Sequence, residues 1–386
     1  MQVCSELSES LTLKFAQTAR QLKEQGRKII SLGLGEPDFN TPDYIIDATN
    51  QAMRNGFTGY SDSMGLPDLR ERISYKLKSE NACNYEPNQI IVTPGAKQAI
   101  FLALAALLQP GDEVINFTPY YVSYVPIAKI AEPNCIIHHI KLNKDDFSID
   151  FEQLEKAISH KTKVLLLNTP NNPSGKIFTK EELRKISELS CKYNFYVIAD
   201  EIYEKLCFGD EEHISIASFD NMLERVFTIN GFSKAYAMTG WRIGYIASPK
   251  AFVSTINKLQ QHINTNTCTF VQKGALAALN GQDLHIQEYN IKLKSRFELL
   301  RSFIDNQNII SCRIPKAGFF AFADISKVNM NSNEFCSVLL DRTGIAITPG
   351  IACGKDWDDH IRISLAADEM ILDEALRTIN DFIHTL

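Results

Sequence analysis

The sequence predicts an α/β protein in two parts: a large domain with a mostly parallel sheet covered by helices, and a smaller α+β domain. From Gln89 onward, short apolar runs alternate with helical segments, the rhythm of a sheet buried on both faces. Near Gly281 that rhythm stops, and strands and helices follow without crossover units. The length of 386 residues exceeds what one small core organises. These observations place the large domain at 42–281 and the small one at 1–41 plus 282–386.

Leu11 to Gln25 carries apolar residues at helical spacing (Leu13, Phe15, Ala16, Ala19, Leu22) and stops at Gly26. Ile29-Ile30 leads as a strand into the glycine-punctuated loop Ser31 to Phe39. Its spacing is not the dinucleotide fingerprint, and no βαβ unit frames it. A helix begins at Thr41-Pro42, with Pro at its first position, and ends near Gly56. A loop covers 59–65, and a helix runs from Pro67 to about Lys78.

Strands are then predicted at Ile90 to Val92, Glu113 to Phe117, Cys135 to Ile140, Val164 to Leu167, Phe195 to Ala199 and Arg225 to Ile229. Helices are predicted at Gln98 to Leu108, Tyr120 to Ile130, Phe151 to Ile158 and Thr179 to Tyr193, the last capped by Thr179. In the C-terminal part a long helix covers roughly Leu284 to Ile304. Strands follow at Ile309 to Arg313, Phe319 to Ala323, Ile345 to Thr348 and Ile361 to Ser364, with helices at Ser332 to Leu340 and Glu369 to Ile383.

The net charge of −6 shows no basic excess, which argues against nucleic acid as the main partner. Nine scattered cysteines, odd in number and without a CxxC pair, read as free thiols of a reducing cytosol. No HExxH occurs, so no metal is expected. The N-terminus lacks a signal-peptide pattern, and the longest apolar stretch, Ala99 to Leu108, is too short to span a membrane.

The chemistry concentrates beyond strand ends. Asn172, Asp200 and Lys234 each follow a predicted strand, and ligands of such sheets collect beyond the carboxyl ends. Lys234 sits among small and aromatic residues, where desolvation favours a neutral, nucleophilic amine. A loop lysine snorkelling to water fits that stretch as well. Asp200 follows Val197-Ile198-Ala199; it suits either a helix cap or a buried acid. Tyr203 suits either the core or the site. Gly95-Ala96-Lys97 opens a helix whose free amides suit a phosphate, and Arg242 adds a bidentate donor. A lysine and an aspartate so placed fit pyridoxal phosphate.

With SLGLGEPDF (31–39), GYSDSMGLPDLR (59–70), VTPGAKQAI (92–100), NTPNNPSG (168–175), ADEIYE (199–204), SKAYAMTGWRIGY (233–245) and HIRISLA (360–366), the chain resembles the class I/II aminotransferases over essentially its whole length. These are fold-type-I pyridoxal-phosphate enzymes, and the GAKQ and YVSY segments are most similar to the aspartate/prephenate branch. The resemblance implies Lys234 as the Schiff-base lysine and proton carrier, and Asp200 as the partner of the pyridine nitrogen. It implies Asn172 and Tyr203 on the cofactor's phenolic oxygen and Tyr121 stacked on its ring. Gly95, Ala96, Lys97, Ser233 and Arg242 fall on or beside the phosphate-binding segments, and Tyr60 would reach the phosphate of a neighbouring subunit, implying a homodimer with shared sites. Arg362 would clamp the substrate α-carboxylate beside Gly35 and Asn172. Lys97 and Thr12 could meet a distal carboxylate, although Lys97 equally fits a solvated helix start.

Three positions depart from the family pattern. Gly231 stands where many members have serine, Tyr121 where the branch has tryptophan, and Cys353 where an aromatic is usual. The last two are expected on the substrate side. The function implied is transfer of an amino group between an L-amino acid, of aspartate or aromatic type, and a 2-oxo acid. The alternative on the same scaffold is β- or γ-elimination, replacement or cyclisation of an amino acid. A non-catalytic descendant would be expected to have lost Lys234, Asp200 or Arg362, and all three are present.

Overall fold

The computed structural model describes residues 11–386. Cys4 and the first ten residues of the expected small domain lie outside the described residues. The helices and strands are α1 (Leu11–Glu24), β1 (Ile30–Ser31), α2 (Asp43–Arg54), α3 (Pro67–Asn81), β2 (Ile90–Thr93), α4 (Ala96–Leu107), β3 (Glu113–Thr118), α5 (Tyr124–Ala131), β4 (Ile136–Lys141), α6 (Phe151–Ala157), β5 (Thr162–Asn168), α7 (Lys180–Tyr193), β6 (Tyr196–Asp200), β7 (Val226–Gly231) and β8 (Gly244–Ala247). They continue with α8 (Lys250–Asn264), α9 (Thr269–Asn280), α10 (Leu284–Asp305), β9 (Phe320–Asp324), α11 (Ser332–Thr343), β10 (Ile345–Ala346), β11 (Thr348–Pro349), β12 (His360–Ser364) and α12 (Glu369–Ile383).

Seven strands form the central sheet in the order β2-β8-β7-β6-β5-β3-β4. Pairing is parallel from β7 through β4, and antiparallel where β8 meets β7 and β2. The sheet is therefore mostly parallel. β5, β6 and β7 lie side by side, so the loops after their carboxyl ends share one edge. One face of the sheet packs on a core containing Leu165, Val197 and Tyr245. The other packs on α4, α5 and α8 through Leu166, Ile198 and Phe227. Side chains of β5 and β6 alternate between these two cores, as a strand buried on both faces requires.

The C-terminal part holds a three-stranded antiparallel sheet, β11-β12-β9, and the short parallel pair β1–β10. Its own apolar core joins Leu32 to Phe297, Leu300, Ile363 and Leu376. No described helix is long and apolar enough to cross a membrane.

Several local expectations need correction. The helix expected from Tyr120 begins at Tyr124, because the Tyr120 amide instead bonds to the Cys353 carbonyl at 2.9 Å. Pro42 precedes its helix in an extended conformation rather than occupying the first turn. The strand expected at Ile309 to Arg313 reduces to one bridge, Ser311 with Asp324. The strand expected at Ile345 to Thr348 is two. Ile345–Ala346 pairs with Ile30–Ser31, and Thr348–Pro349 with Ile361–Arg362. Asp200 is the last residue of β6 rather than the first beyond it, and β7 runs on through Asn230 to Gly231. Helices α8 and α9 went unread. The buried positions of α9 include Val271, Ala275, Ala278 and Leu279 at helical spacing, interleaved with buried Thr269, Gln272 and Gly274.

Gly344 ends α11 at φ +78°, and a Cβ there would lie 2.3 Å from the Lys28 carbonyl. Gly344→Ala is therefore expected to lower the unfolding free energy by about 1–3 kcal/mol, read by chemical denaturation.

Candidate active site

A cavity of about 460 Å³ opens beyond the carboxyl ends of β5, β6 and β7, where the second core meets the sheet. Thr12, Gly35, Ala96, Lys97, Tyr121 and Asn172 line it. So do Asp200, Tyr203, Ser233, Lys234, Arg242 and Arg362. Gly95 lies directly behind the Arg242 guanidinium. Tyr60 does not line the cavity and is 89% exposed.

Asp200 closes β6 and is almost fully buried. No helix starts there. One carboxylate oxygen accepts from the Ile202 amide (3.2 Å), the other from the Tyr124 hydroxyl (2.7 Å). Its carbonyl accepts from the Asn168 side chain (2.9 Å) and the Thr169 amide (3.1 Å), locking the strand end. Burial pushes the carboxyl up to about 6, opposed by the Tyr124 and Ile202 hydrogen bonds.

Lys234 follows β7, and its amine donates to the Gly35 carbonyl at 2.6 Å. Burial pulls the ammonium down to about 8. Glu36 opposes this, while the Arg362 and Arg242 guanidinium groups add to it. Glu36 accepts from the Thr239 hydroxyl, which ties the Gly35 segment to the lysine's own loop.

Arg362 lies in β12 and is buried. Its terminal nitrogens donate to Asn172 Oδ1 (3.1 Å), the Gly33 carbonyl (2.7 Å) and Thr348 Oγ1 (3.3 Å). The guanidinium stacks 4.2 Å from the Phe320 ring centre, and Nε has no partner. The second residue of this pair is placed by the sheet: Asn168 Oδ1 accepts the Asn172 amide at 2.7 Å. Tyr203 stands edge-on to Phe319 and Phe320, buried, and burial raises its phenol.

Gly95 precedes α4 at φ +86°, and a Cβ there would be 2.5 Å from Arg242 Nη2. Only glycine lets the guanidinium lie over the start of the helix, where the amides of the first turn are free. Arg242 itself takes φ +54° and donates to the Thr239 carbonyl at 3.0 Å. Ser233 is buried on the same side of the cavity. Tyr121 meets Tyr124 edge-on with centroids 5.5 Å apart, and Lys97 Nζ is 5.8 Å from the Tyr121 ring centre. Thr12 Oγ1 is buried with no hydrogen-bond partner among the described residues.

The departures sort differently from expectation. Tyr121 lines the cavity, but Cys353 does not: it is buried in the core beside Trp357, and burial pushes its thiol up to about 11. At Gly231 a Cβ would meet Gly244 Cα at 3.0 Å and the Ile243 carbonyl at 3.1 Å, so even serine requires the paired strand to give. The sequence reading missed Tyr124, Asn168, Thr348 and Phe320. Tyr124 lies three residues after Tyr121, a spacing that places both on one side of a helical turn.

A carboxyl held up by burial takes its proton more tightly in the folded chain than in the unfolded one. Its contribution to stability is therefore present below the unfolded value and falls as pH rises toward the folded one. Relative to Asp200→Asn, the cofactor-free wild type is expected to lose about 3 kcal/mol between pH ~4 and ~6 and then stay level. Chemical denaturation at a series of pH values reads the difference.

A family model described as "Aminotransferase class I and II" matches residues 27–379. The chain is 37% identical over 385 residues to an aspartate aminotransferase of Bacillus subtilis (strain 168), covering 98% of this chain and 97% of the relative. It is 37% identical over 398 residues to a bifunctional aspartate aminotransferase and glutamate/aspartate-prephenate aminotransferase of Petunia hybrida, covering 99% and 82%. Among solved structures, Thermus thermophilus aspartate aminotransferase with maleate superposes with a TM-score of 0.94 at 32% identity, covering 99% and 98%. An aromatic aminotransferase from Pyrococcus horikoshii OT3 gives 0.90 at 34% identity, covering 95% and 99%. With a buried acid, a low-pKa lysine and a buried arginine around one cavity, the chain belongs to the class I and II aminotransferases, which are pyridoxal-phosphate-dependent transferases.

Proposed function

We propose that this chain moves the α-amino group between an L-amino acid, of aspartate or aromatic type, and a 2-oxo acid, with Lys234 and Asp200 as the central pair. One observation carries the reading. An amine brought down to about 8 and a buried carboxylate flank one cavity that also holds a buried arginine.

The residues fit the cofactor. Lys234 offers a nucleophilic amine; Asp200 offers a buried acceptor whose hydrogen-bond partners among the described residues are neutral, a tyrosine hydroxyl and a backbone amide. The Gly95–Arg242 approach offers free amides and a guanidinium for a phosphate. When bound, pyridoxal phosphate supplies a carbonyl carbon for the amine and a protonated ring that accepts the electron pair left as the substrate Cα–H bond breaks.

The chain's own residues then divide the work. Asp200 would hold the proton on the ring nitrogen, with Tyr124 fixing its carboxylate. Asn172 and Tyr203 would meet the phenolic oxygen. Ala96, Ser233 and Arg242 would hold the phosphate, with Gly95 making room. Tyr121 would lie against the ring. Arg362 would take the substrate α-carboxylate beside Asn172 and Gly35. The Lys234 amine would take the proton from Cα and give it up to the cofactor's carbonyl-derived carbon, as an amine of depressed basicity can do near neutral pH. Lys97 and Thr12, on the wall beside Tyr121, are placed to receive the substrate side chain.

The names of the relatives, aspartate and aspartate/prephenate aminotransferases together with an aromatic one, support the proposed substrate types. A homodimer with shared sites is part of the reading. Its support is Tyr60, which belongs to a motif of the family yet stands exposed and off its own cavity. The division into domains at 42–281 and at 1–41 with 282–386 is likewise proposed. The separate apolar cores support it, with α10 contributing to both. The free thiols of the eight described cysteines support a cytoplasmic setting.

The test is a single-turnover screen of the cofactor-loaded protein with individual amino acids, products identified by mass. Conversion of the cofactor to its amine form with a matching 2-oxo acid is expected. A substrate that instead loses water or a side-chain group would replace transamination by elimination or cyclisation. Lys234→Ala is expected to abolish turnover and covalent retention of the cofactor. Asp200→Ala is expected to cut turnover by about 10³-fold or more, given the weight of a buried charge at a reacting centre.

A further inference from the structure

Directly behind Asp200 lies a second set of buried charges. Glu201 is fully buried, and one carboxylate oxygen accepts from Ser215 Oγ at 2.7 Å. The other stands 3.3 Å from His213 Nε2. The His213 side chain is 5% exposed. Among the described residues neither ring nitrogen, nor that Glu201 oxygen, makes a hydrogen bond, so the 3.3 Å approach is the one polar contact between them. One turn on, buried Glu204 is paired with Lys76 and accepts from Asn81 Nδ2 at 2.7 Å.

Glu201, Glu204 and His213 have the composition of a metal-binding set. The charges argue otherwise. Both oxygens of Glu204 are taken, by Lys76 and Asn81. Glu204 and Lys76 offset one another, which leaves Glu201 and, one residue before it, Asp200 as buried carboxylates. A protonated imidazole offsets Glu201 directly, whereas a divalent cation would sit beside the Lys76 ammonium.

We propose that His213, as an imidazolium paired with Glu201, is a positioning residue that holds the 200–204 turn from behind and screens Asp200 from the charge of its neighbour. The other charged or titratable groups facing this pair among the described residues are Asp200, Glu204, Lys76, Cys83, Tyr85, Cys207 and Tyr245. Glu201 adds to the burial that already pushes the Asp200 carboxyl up. The pair also has a mechanical reach. The loop between Glu201 and His213 bonds through Phe208 to the Lys316 carbonyl (3.0 Å), and Gly318 bonds back to the Leu206 carbonyl (2.8 Å). Those contacts lie just ahead of Phe319 and Phe320, the rings that flank Tyr203 and Arg362.

This inference rests on the reading of Asp200 as the ring-nitrogen partner only for its catalytic consequence. Its test is therefore made first without cofactor. In full-length, cofactor-free His213→Gln, melting is expected at lower temperature than in wild type. The pH step assigned to Asp200, obtained by difference from the same protein carrying Asp200→Asn, is expected to move up by about one unit. That is the effect of one uncompensated charge roughly 10 Å away at an effective dielectric of about 20. Removing both charges, in Glu201→Gln with His213→Gln, is expected to restore the melting temperature and the step, and in the loaded enzyme to restore the acid limb of kcat/KM.

A double variant as impaired as the two single losses combined would overturn the proposal, since a merely structural histidine gives that result. An unmoved step in His213→Gln would also overturn it. So would one tightly bound metal ion per chain by elemental analysis. If Asp200→Asn leaves turnover intact while the cofactor-free rescue holds, the role of Asp200 falls and the charge pair stands.

Discussion

The site depends on keeping two opposite, titratable groups out of water at the same edge of one sheet. Left in solvent, the Asp200 carboxyl would sit near 4 and the Lys234 ammonium near 10.5, and neither would be unusual. Burial moves both toward neutrality, from opposite directions, to about 6 and about 8. The chain tolerates this because each group keeps a specific partner: a tyrosine hydroxyl for the acid, a backbone carbonyl for the amine. An amine that deprotonates readily and a carboxylate able to hold another group's proton are what the transfer requires.

The sheet supplies the geometry and the second core completes it. Parallel pairing of β5, β6 and β7 puts Asn168, Asp200 and the Lys234 loop in register at one edge. β12, embedded in the other core, delivers Arg362 from across the cavity. The segment after β1 runs between the two and provides the carbonyls of Gly33 and Gly35 to the arginine and the lysine. A shift of either core would thus change the spacing between Arg362 and Lys234.

Much of this was legible in the sequence, for physical reasons. The buried strands of a two-sided sheet are short and continuously apolar, so β2 to β7 stand out. Residues that touch a cofactor must be of particular chemical types in loops of particular length, so the motifs around Lys234, Asp200 and Arg362 are distinctive. What stayed hidden has no local signature. Tyr124 acts on Asp200 from 76 residues away. α9 mixes its apolar positions with buried Thr269, Gln272 and Gly274, which blurs the helical stripe. The segment 345–349 reads as one strand, yet its two halves pair with different partners. Cys353 illustrates the opposite error: a position expected at the site from the family pattern is buried in the core with Trp357.

The way Arg362 is held has a consequence for affinity. Its terminal nitrogens already donate to an amide oxygen, a carbonyl and a hydroxyl, arranged about the guanidinium much as a ligand's oxygens would be. On the proposed role of Arg362, an incoming carboxylate would displace internal surrogates rather than meet an unpaired charge. Binding at this point would be an exchange of hydrogen bonds, gaining only the difference between a charged and a neutral acceptor. The same internal acceptors keep the buried guanidinium from standing unpaired.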